Sequence, residues 1–191
     1  MLQHQAYWHC HSGTGYAYQF DLYTGRQDDG NTSVGLGAQV VQKLCMSLNN
    51  LHCIVVFDNF FLSCELLETL YSQNIYAVAT VRSNRQDLPV IARDRSALNK
   101  GEFEWRTKNT TAYMKWKDTK DVHIISTAFS PSETRHVNRT QKDGSTIQVS
   151  CPEAVVEYTK RIDEKRGRYS VTRRSSLGGW EYLILFSTAA L

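Results

Sequence analysis

The sequence predicts an α/β fold in which a mixed β-sheet carries helices on its faces. Three features predict it: a hairpin-like stretch at 6–24, a strand–helix–strand unit within 53–81, and a run of short strands after residue 102. A strand, a helix and a second strand in this order imply a parallel pair with a right-handed crossover. The hairpin and the short strands imply antiparallel neighbours. With 191 residues, 41% of them apolar, the chain can bury one core and is expected to form a single domain.

The first elements are a hairpin and a helix. Two aromatic-rich segments flank the turn sequence SGTG within 6–24, and this pattern is typical of a β-hairpin. Ser33 follows a polar, turn-rich stretch and can cap the next helix. Apolar residues recur at helical spacing from Val40 to Leu48, which predicts an amphipathic helix there.

The central unit ends its first strand on an aspartate. The apolar run Cys53–Phe57 predicts a buried strand covered on both faces. Residues 59–74 favour a helix, and 75–81 favour a second buried strand. Asp58 therefore stands at the carboxyl end of a buried strand, where α/β folds commonly place ligands. Two interpretations follow: Asp58 binds a divalent cation, or it caps the following helix.

The second half begins with a predicted β-meander of three short strands between 102 and 129. On its middle strand Lys115 and Lys117 alternate with Met114 and Trp116. Charge at every second position is typical of the solvent-facing side of a strand. We therefore expect both lysines to be exposed.

The last part of the chain is polar, then helical, then apolar. Residues 130–150 are polar and contain the turn sequence KDGS. Pro152 is suited to the first position of a helix that continues through EAVVEYTKRIDEKRG. The final segment begins basic and finishes apolar, and no internal repeat is evident.

Charge, hydropathy and cysteine content restrict the classes of function that the chain can have. The net charge is only +3, so any nucleic-acid role must come from local patches. No apolar stretch approaches the roughly 20 residues of a membrane helix, and no signal peptide is evident, so a soluble intracellular protein is expected. The five cysteines contain no C-x-x-C pair and indicate neither a zinc site nor a disulfide framework.

Two basic groups are candidates for contact with DNA backbone, and solvated surface is the alternative for both. Arginine forks suit phosphate oxygens. The first group follows the second buried strand and comprises Arg82, Asn84 and Arg85, which could instead pair with nearby acids. The second lies within 160–174, and its members are Lys160, Arg161, Lys165, Arg166, Arg168, Arg173 and Arg174.

Six blocks along the chain resemble the piggyBac-type DNA transposase family, in the family's order. FDNFFLS is similar to the segment that carries the family's second catalytic aspartate. HCHSGTGYAYQFDLYTG is similar to the hairpin "CDSxTGY…Y.G", and AVATVRSNRQDLP to "GTVRSNRKGLP". MKWKDTKDVHIISTAF, VVEYTK and GRYSVTRRSS are similar to the remaining three. The resemblance implies an RNase H-like core, at 6–85 and about 150–175, with a β-rich insertion at about 102–150.

The family's three aspartates bind divalent metal, usually Mg²⁺, and the resemblance lets each position be checked. Two ions about 3.5–4 Å apart would clamp the attacking and leaving oxygens of strand transfer. Asp58 matches the second aspartate. His11 stands at the first, where imidazole brings no charge when neutral and suits Mg²⁺ poorly; a half-exposed turn residue is its alternative interpretation. The turn that carries the third is missing before Asp163, which can fill that role only under a different alignment.

The resemblance therefore implies a transposase-derived domain that is catalytically inactive and binds DNA weakly, in the nucleus, with no functional Mg²⁺. An active transposase or nuclease core that uses Asp58, Asp163 and another acid such as Asp21 is one alternative. A domesticated protein-interaction module is the other. Compared with the family, the chain is expected to be short at both ends, so the homodimer-forming region of the family is expected to be absent.

Overall fold

A computed structural model describes residues 5–11, 17–23, 35–94, 98–166 and 182–189. It describes side chains throughout 35–94 and 98–162, and those of Tyr7 and Asp21. The described strands are β1 Gln5–His11, β2 Ala17–Tyr23, β3 Cys53–Phe57, β4 Ile75–Thr80, β5 Phe103–Lys108, β6 Thr111–Lys117, β7 Asp121–Ser126, β8 Thr134–Thr140, β9 Thr146–Pro152 and β10 Tyr182–Ala189. The helices are α1 Leu36–Cys45, α2 Cys64–Ser72 and α3 Glu153–Arg166, with 3₁₀ turns at Met46–Leu48 and Val90–Ala92.

One eight-stranded mixed sheet organises the chain, in the order β2-β1-β10-β3-β4-β7-β6-β5. Strands β10, β3 and β4 are parallel to one another, and every other pair in the sheet is antiparallel. Strands β8 and β9 form a separate two-stranded sheet. The predicted hairpin, βαβ unit and meander are confirmed, and the meander extends the main sheet through the β4–β7 pair.

Strand β3 lies at the centre of the core, as its apolar run predicts. Val55 and Phe57 pack into the cluster that α1 and α2 cover. Ile54 and Val56 face the opposite cluster, which includes Trp116 and residues of α3 and β9. Because every β3 side chain is buried, the strand is fixed on both faces, and so is the position of the residue that follows it.

The helix after β9 starts one residue later than the sequence predicts. Pro152 is the last residue of β9, opposite Thr134, and α3 begins at Glu153. A proline is tolerated at a strand end because its missing N–H breaks no interior ladder bond. Most of the polar stretch 130–150 lies in the β8–β9 hairpin, which ends at Pro152. The residues there predict only a turn, because β8 is largely exposed and carries little apolar signal.

Ser33, the predicted cap of the first helix, lies outside the described residues. Gly35 is the N-cap of α1 and has no side chain with which to cap. Among the described helices, none is long and apolar enough to cross a membrane. No disulfide joins the cysteines whose side chains are described, which are Cys45, Cys53, Cys64 and Cys151.

The expectation that Lys115 faces solvent is wrong. Its side chain is 1% exposed, whereas that of Lys117 is 32% exposed. Strand β6 lies between β5 and β7, and residues 112–116 are buried on both faces. The period-two pattern cannot distinguish a solvated face from one that is covered by another segment of the chain.

Candidate functional site at the ends of strands β3 and β4

Asp58 and Thr80 lie side by side at the carboxyl edge of the parallel strands. The β3–β4 register pairs Phe57 with Ala79, so the next residue of each strand emerges at the same level. The Thr80 hydroxyl donates to Asp58 Oδ1 at 2.7 Å. The aspartate thus lies at the carboxyl edge of the parallel strands, the edge where open α/β sheets commonly bind ligands.

A short turn holds the Asp58 carboxylate. Asn59 donates to Asp58 Oδ1 twice, from its backbone N at 2.6 Å and from Nδ2 at 2.7 Å. Partial burial alone would raise the pKa of Asp58, but the hydrogen bonds from Thr80 and Asn59, together with the Arg82 charge, hold that pKa below its ordinary value. Asp58 is therefore ionised at neutral pH, and Oδ2 accepts no hydrogen bond from the side chains that the structure describes.

The helix-cap interpretation of Asp58 is wrong. Helix α2 begins at Cys64, and its N-cap is Ser63, whose hydroxyl accepts from Leu66 N at 3.0 Å. Residues 59–61 form a turn and Ser63 is extended, so the stretch between β3 and α2 is not the helical turn that the sequence predicts. The Asp58 side chain is therefore available for another role.

Helix α3 reaches the same edge through a tyrosine. The hydroxyls of Tyr158 and Thr80 lie 3.4 Å apart. Thr80 thereby connects the carboxylate of Asp58 to a residue more than seventy positions further along the chain. Sequence reasoning missed both hydroxyls: the β3–β4 pairing could have revealed Thr80, but only the docking of α3 reveals Tyr158.

The predicted basic group follows β4, and two of its members act on this edge. Arg82 and Asn84 are exposed, and Arg85 is half-buried. Arg85 Nη1 donates to the backbone oxygen of Asn59 at 3.3 Å, which connects the group to the turn beside Asp58. In the described part of the chain, neither Arg82 nor Arg85 forms a salt bridge with a carboxylate.

His11 and Asp58 are not brought together by their strands. His11 is the last residue of β1 and pairs with Leu183, which pairs with Val55. Two strand spacings, roughly 10 Å, therefore separate His11 from β3. Val55 also precedes Asp58 by three residues, roughly another 10 Å along the strand. The side chain of His11 lies outside the described set.

The other two candidate acids have different surroundings. Asp21, on β2, forms an ion pair with Lys43 of α1 at 2.6 Å. Asp163 belongs to α3, five residues and about 7.5 Å of helix beyond Tyr158. Its side chain is not among those described.

The described donors do not fit a two-metal clamp. Such a clamp needs several hard oxygen ligands around ions about 3.5–4 Å apart. Within the described side chains, no three His, Cys, Asp or Glu residues form a group that could hold a metal ion. At this edge, the described groups that contact the Asp58 carboxylate are neutral donors, namely the Thr80 hydroxyl and the backbone and side-chain N–H groups of Asn59.

The second predicted basic group lies mostly outside the described side chains. Lys160 is exposed, and Arg161 forms an ion pair with Glu157 at 3.1 Å. Lys165 and Arg166 contribute backbone to α3. Arg173 and Arg174 lie outside the described residues.

The chain is similar to known transposase-derived proteins. It is 28% identical over 174 residues to the human PiggyBac transposable element-derived protein 3, across 84% of this chain and 29% of that protein. The human chimeric ERCC6-PGBD3 protein matches at 28% identity over 174 residues, 84% of this chain and 16% of that protein. The chain thus spans less than a third of the length of these relatives.

The fold has a solved counterpart. The structure of a piggyBac transposase synaptic complex with hairpin DNA matches with a TM-score of 0.64 and 21% identity, across 87% of this chain and 34% of that chain. The mixed sheet with flanking helices is accordingly an RNase H-like core. The model of the family described as Transposase IS4 matches residues 3–175. The chain therefore belongs to this transposase family, and within it to the piggyBac type.

Proposed function

We propose that this chain is a piggyBac transposase-derived DNA-binding core that no longer performs metal-dependent cleavage and strand transfer. The observation that carries the proposal is the separation of two positions. Asp58 stands at the carboxyl edge of β3, while His11, at the position where the family has a carboxylate, ends a strand two places away at the level of Val55. By the same resemblance, we expect the protein to act in the nucleus.

The loss of catalysis follows from ligand number. One carboxylate can hold a hydrated Mg²⁺ only weakly, because this ion keeps most of its waters unless several oxygens replace them. Removing members of a catalytic set that act as a unit typically lowers rates by orders of magnitude. Position 11 is an imidazole, and the turn that carries the family's third aspartate is missing before Asp163. The Mg²⁺ used by the family would therefore have one carboxylate ligand, Asp58.

Binding of DNA backbone is supported by charge and exposure at the same edge. Arg82 and Asn84 are exposed in the segment that follows β4, and both suit hydrogen bonding to phosphate oxygens. The structural relative was solved with hairpin DNA. Because Arg82 also offsets the negative charge of Asp58, phosphate can approach the edge without facing an uncompensated carboxylate.

Metal titration tests the first half of the proposal. Mn²⁺ binding followed by electron paramagnetic resonance is expected to show at most one weak site, which Asp58→Asn removes. Asp143→Asn, in the β8–β9 turn, is the matched control and should change nothing. Two Mn²⁺ ions bound tightly, with the spin coupling of neighbouring ions, would contradict the proposal.

Salt-dependent DNA binding tests the second half. Fluorescence anisotropy with a duplex at several salt concentrations should show affinity falling as salt rises, since phosphate contacts release counterions. Arg82→Ala should weaken binding of all sequences alike and lower the slope of log affinity against log salt by about one. Lys120→Ala, an exposed lysine on the β6–β7 turn, should leave the slope unchanged. Equal slopes for wild type and Arg82→Ala would count against DNA contact at this edge.

An active metal-dependent core remains a second candidate because of one observation. The Asp58 carboxylate is ionised at neutral pH, and among the described residues its Oδ2 has no hydrogen-bond donor. That is the state in which a carboxylate binds a hard cation. Metal-dependent cleavage of DNA by the wild-type chain would favour this candidate.

A further inference from the structure

Lys115 is a buried lysine with a specific partner. Its Nζ donates to the backbone oxygen of Asp94 at 2.7 Å, and Asp121 Oδ2 lies 3.9 Å away. An ammonium that is 1% exposed costs several kcal/mol unless it is paired and hydrogen-bonded. The hydrogen bond of Lys115 thus ends on Asp94, the last residue of segment 82–94. This segment begins directly after β4, at the Asp58 edge.

Both ends of segment 82–94 are attached to the meander. Just before it, Val81 N donates to the backbone oxygen of His123 on β7 at 3.1 Å. At its end, Asp94 accepts from Lys115 on β6. Within it, Leu88 and Ile91 are buried in the core. Hydrogen bonds from β6 and β7 therefore fix the segment that carries Arg82 at both of its ends.

Arg93, near the end of the segment, forms hydrogen bonds with backbone oxygens near its start. Arg93 Nη2 donates to the backbone oxygens of Arg85 at 2.9 Å and of Gln86 at 3.3 Å. Arg85 in turn donates to the backbone oxygen of Asn59. A continuous series of contacts thus runs from Lys115 through Arg93 to the turn beside Asp58.

We propose that Lys115 and Arg93 form an internal clamp that fixes segment 82–94, and that Lys115 is a positioning residue for the contact of Arg82 with DNA. This inference rests on the proposed function for its DNA-binding part. Without the ammonium, the hydrogen bond from β6 to the Asp94 carbonyl is lost, and the end of the segment is held less tightly against the meander. Arg82 then samples many positions, and each phosphate contact is weakened by the ordering it requires.

Hydrogen exchange tests the clamp without DNA. The Lys115→Met variant keeps an unbranched side chain of similar length and removes the charge. In it, the amides of 82–94 should exchange at least tenfold faster, while those of β3 stay protected. Lys117→Met is the matched control on the same strand, since Lys117 pairs with Asp121 and not with the segment. If Lys115→Met unfolds the chain, the exposed Arg93→Gln gives the same test. Unchanged exchange of 82–94 in both Lys115→Met and Arg93→Gln would overturn the clamp.

A double-mutant cycle tests the positioning role. Lys115→Met should weaken duplex binding several-fold in the wild-type background and have no further effect in the Arg82→Ala background. Additive effects, or equal loss with Lys117→Met, would mean that Lys115 acts on general stability and would overturn the positioning role. If the wild-type chain binds no DNA, the proposed function fails, and the exchange experiment still decides the clamp.

Discussion

The Thr80 hydroxyl lies 2.7 Å from Asp58 Oδ1 and joins the ends of two parallel strands. The same hydroxyl accepts from Asn59 N at 3.2 Å and lies 3.4 Å from the Tyr158 hydroxyl. Thr80 is thus the residue through which β3, β4 and α3 meet at the candidate site. The orientation of the Asp58 carboxylate depends on a neutral neighbour rather than on a second acid.

Replacing Thr80 by valine is expected to raise the pKa of Asp58 towards its ordinary value. Valine keeps the shape of the side chain and removes the hydrogen bond that stabilises the carboxylate. The Asp58 pKa can be followed by carbon-detected NMR. Thr69→Val is the control, because Thr69 donates to the backbone oxygen of Glu65 within α2 and is remote from Asp58. An unchanged pKa in Thr80→Val would show that the hydrogen bond is not formed in solution.

The stability of the protein is expected to depend on the ionisation of Asp58. The pKa of Asp58 is lowered in the folded state, so its contribution is present above the ordinary pKa of about 3.9 and is lost as pH falls through the folded value. The Asp58→Asn variant should therefore lose less unfolding free energy than the wild type below about pH 4. Urea denaturation at several pH values measures this difference. Parallel pH profiles for the two proteins would contradict it.

Gly37 is expected to be essential for the turn that follows Asp58. A Cβ at position 37 would lie 2.5 Å from Phe60 O and 2.9 Å from Phe61 Cα. Gly37→Ala must therefore move α1 away from this turn, and overpacking of this kind costs about 1–3 kcal/mol. Thermal denaturation measures the loss. Gly35→Ser is the control: nothing lies within 4 Å of its Cβ, and serine is a preferred N-cap. Equal stability of Gly37→Ala and the wild type would rule out this close packing.

Trp116 is expected to couple the meander to the β8–β9 hairpin. Its Nε1 donates to the backbone oxygen of Ser150 at 2.8 Å, and the Arg139 guanidinium lies 5.6 Å from the ring centroid. Trp116→Phe should lose the hydrogen bond and cost about 1–3 kcal/mol, because the Ser150 carbonyl loses the buried indole donor. Urea denaturation measures the cost, and exchange should rise first in β9. A variant as stable as the wild type would mean that water replaces the indole.

The sequence predicts the sheet well because its strongest signals are local. The apolar run of β3 and the turn chemistry of the first hairpin each depend on neighbouring residues, and Asp58 follows from the end of a strand. Lys115 shows where such reasoning fails: its pattern is that of a solvated strand, and its burial depends on a segment more than twenty residues away. Tyr158 has no local signal at all, since its role arises only when α3 docks.

Loss of metal-dependent catalysis can be tested directly by incubating a labelled DNA duplex with the purified chain. Mg²⁺ or Mn²⁺ is added, and EDTA serves as the blank. The substrate should carry an end sequence of a piggyBac-type element, and gel analysis should resolve nicks, hairpins and joined products. We expect salt-dependent binding of the duplex with no metal-dependent product. A product that forms only with metal, and that Asp58→Ala abolishes while Asp143→Ala does not, would contradict it and establish an active core.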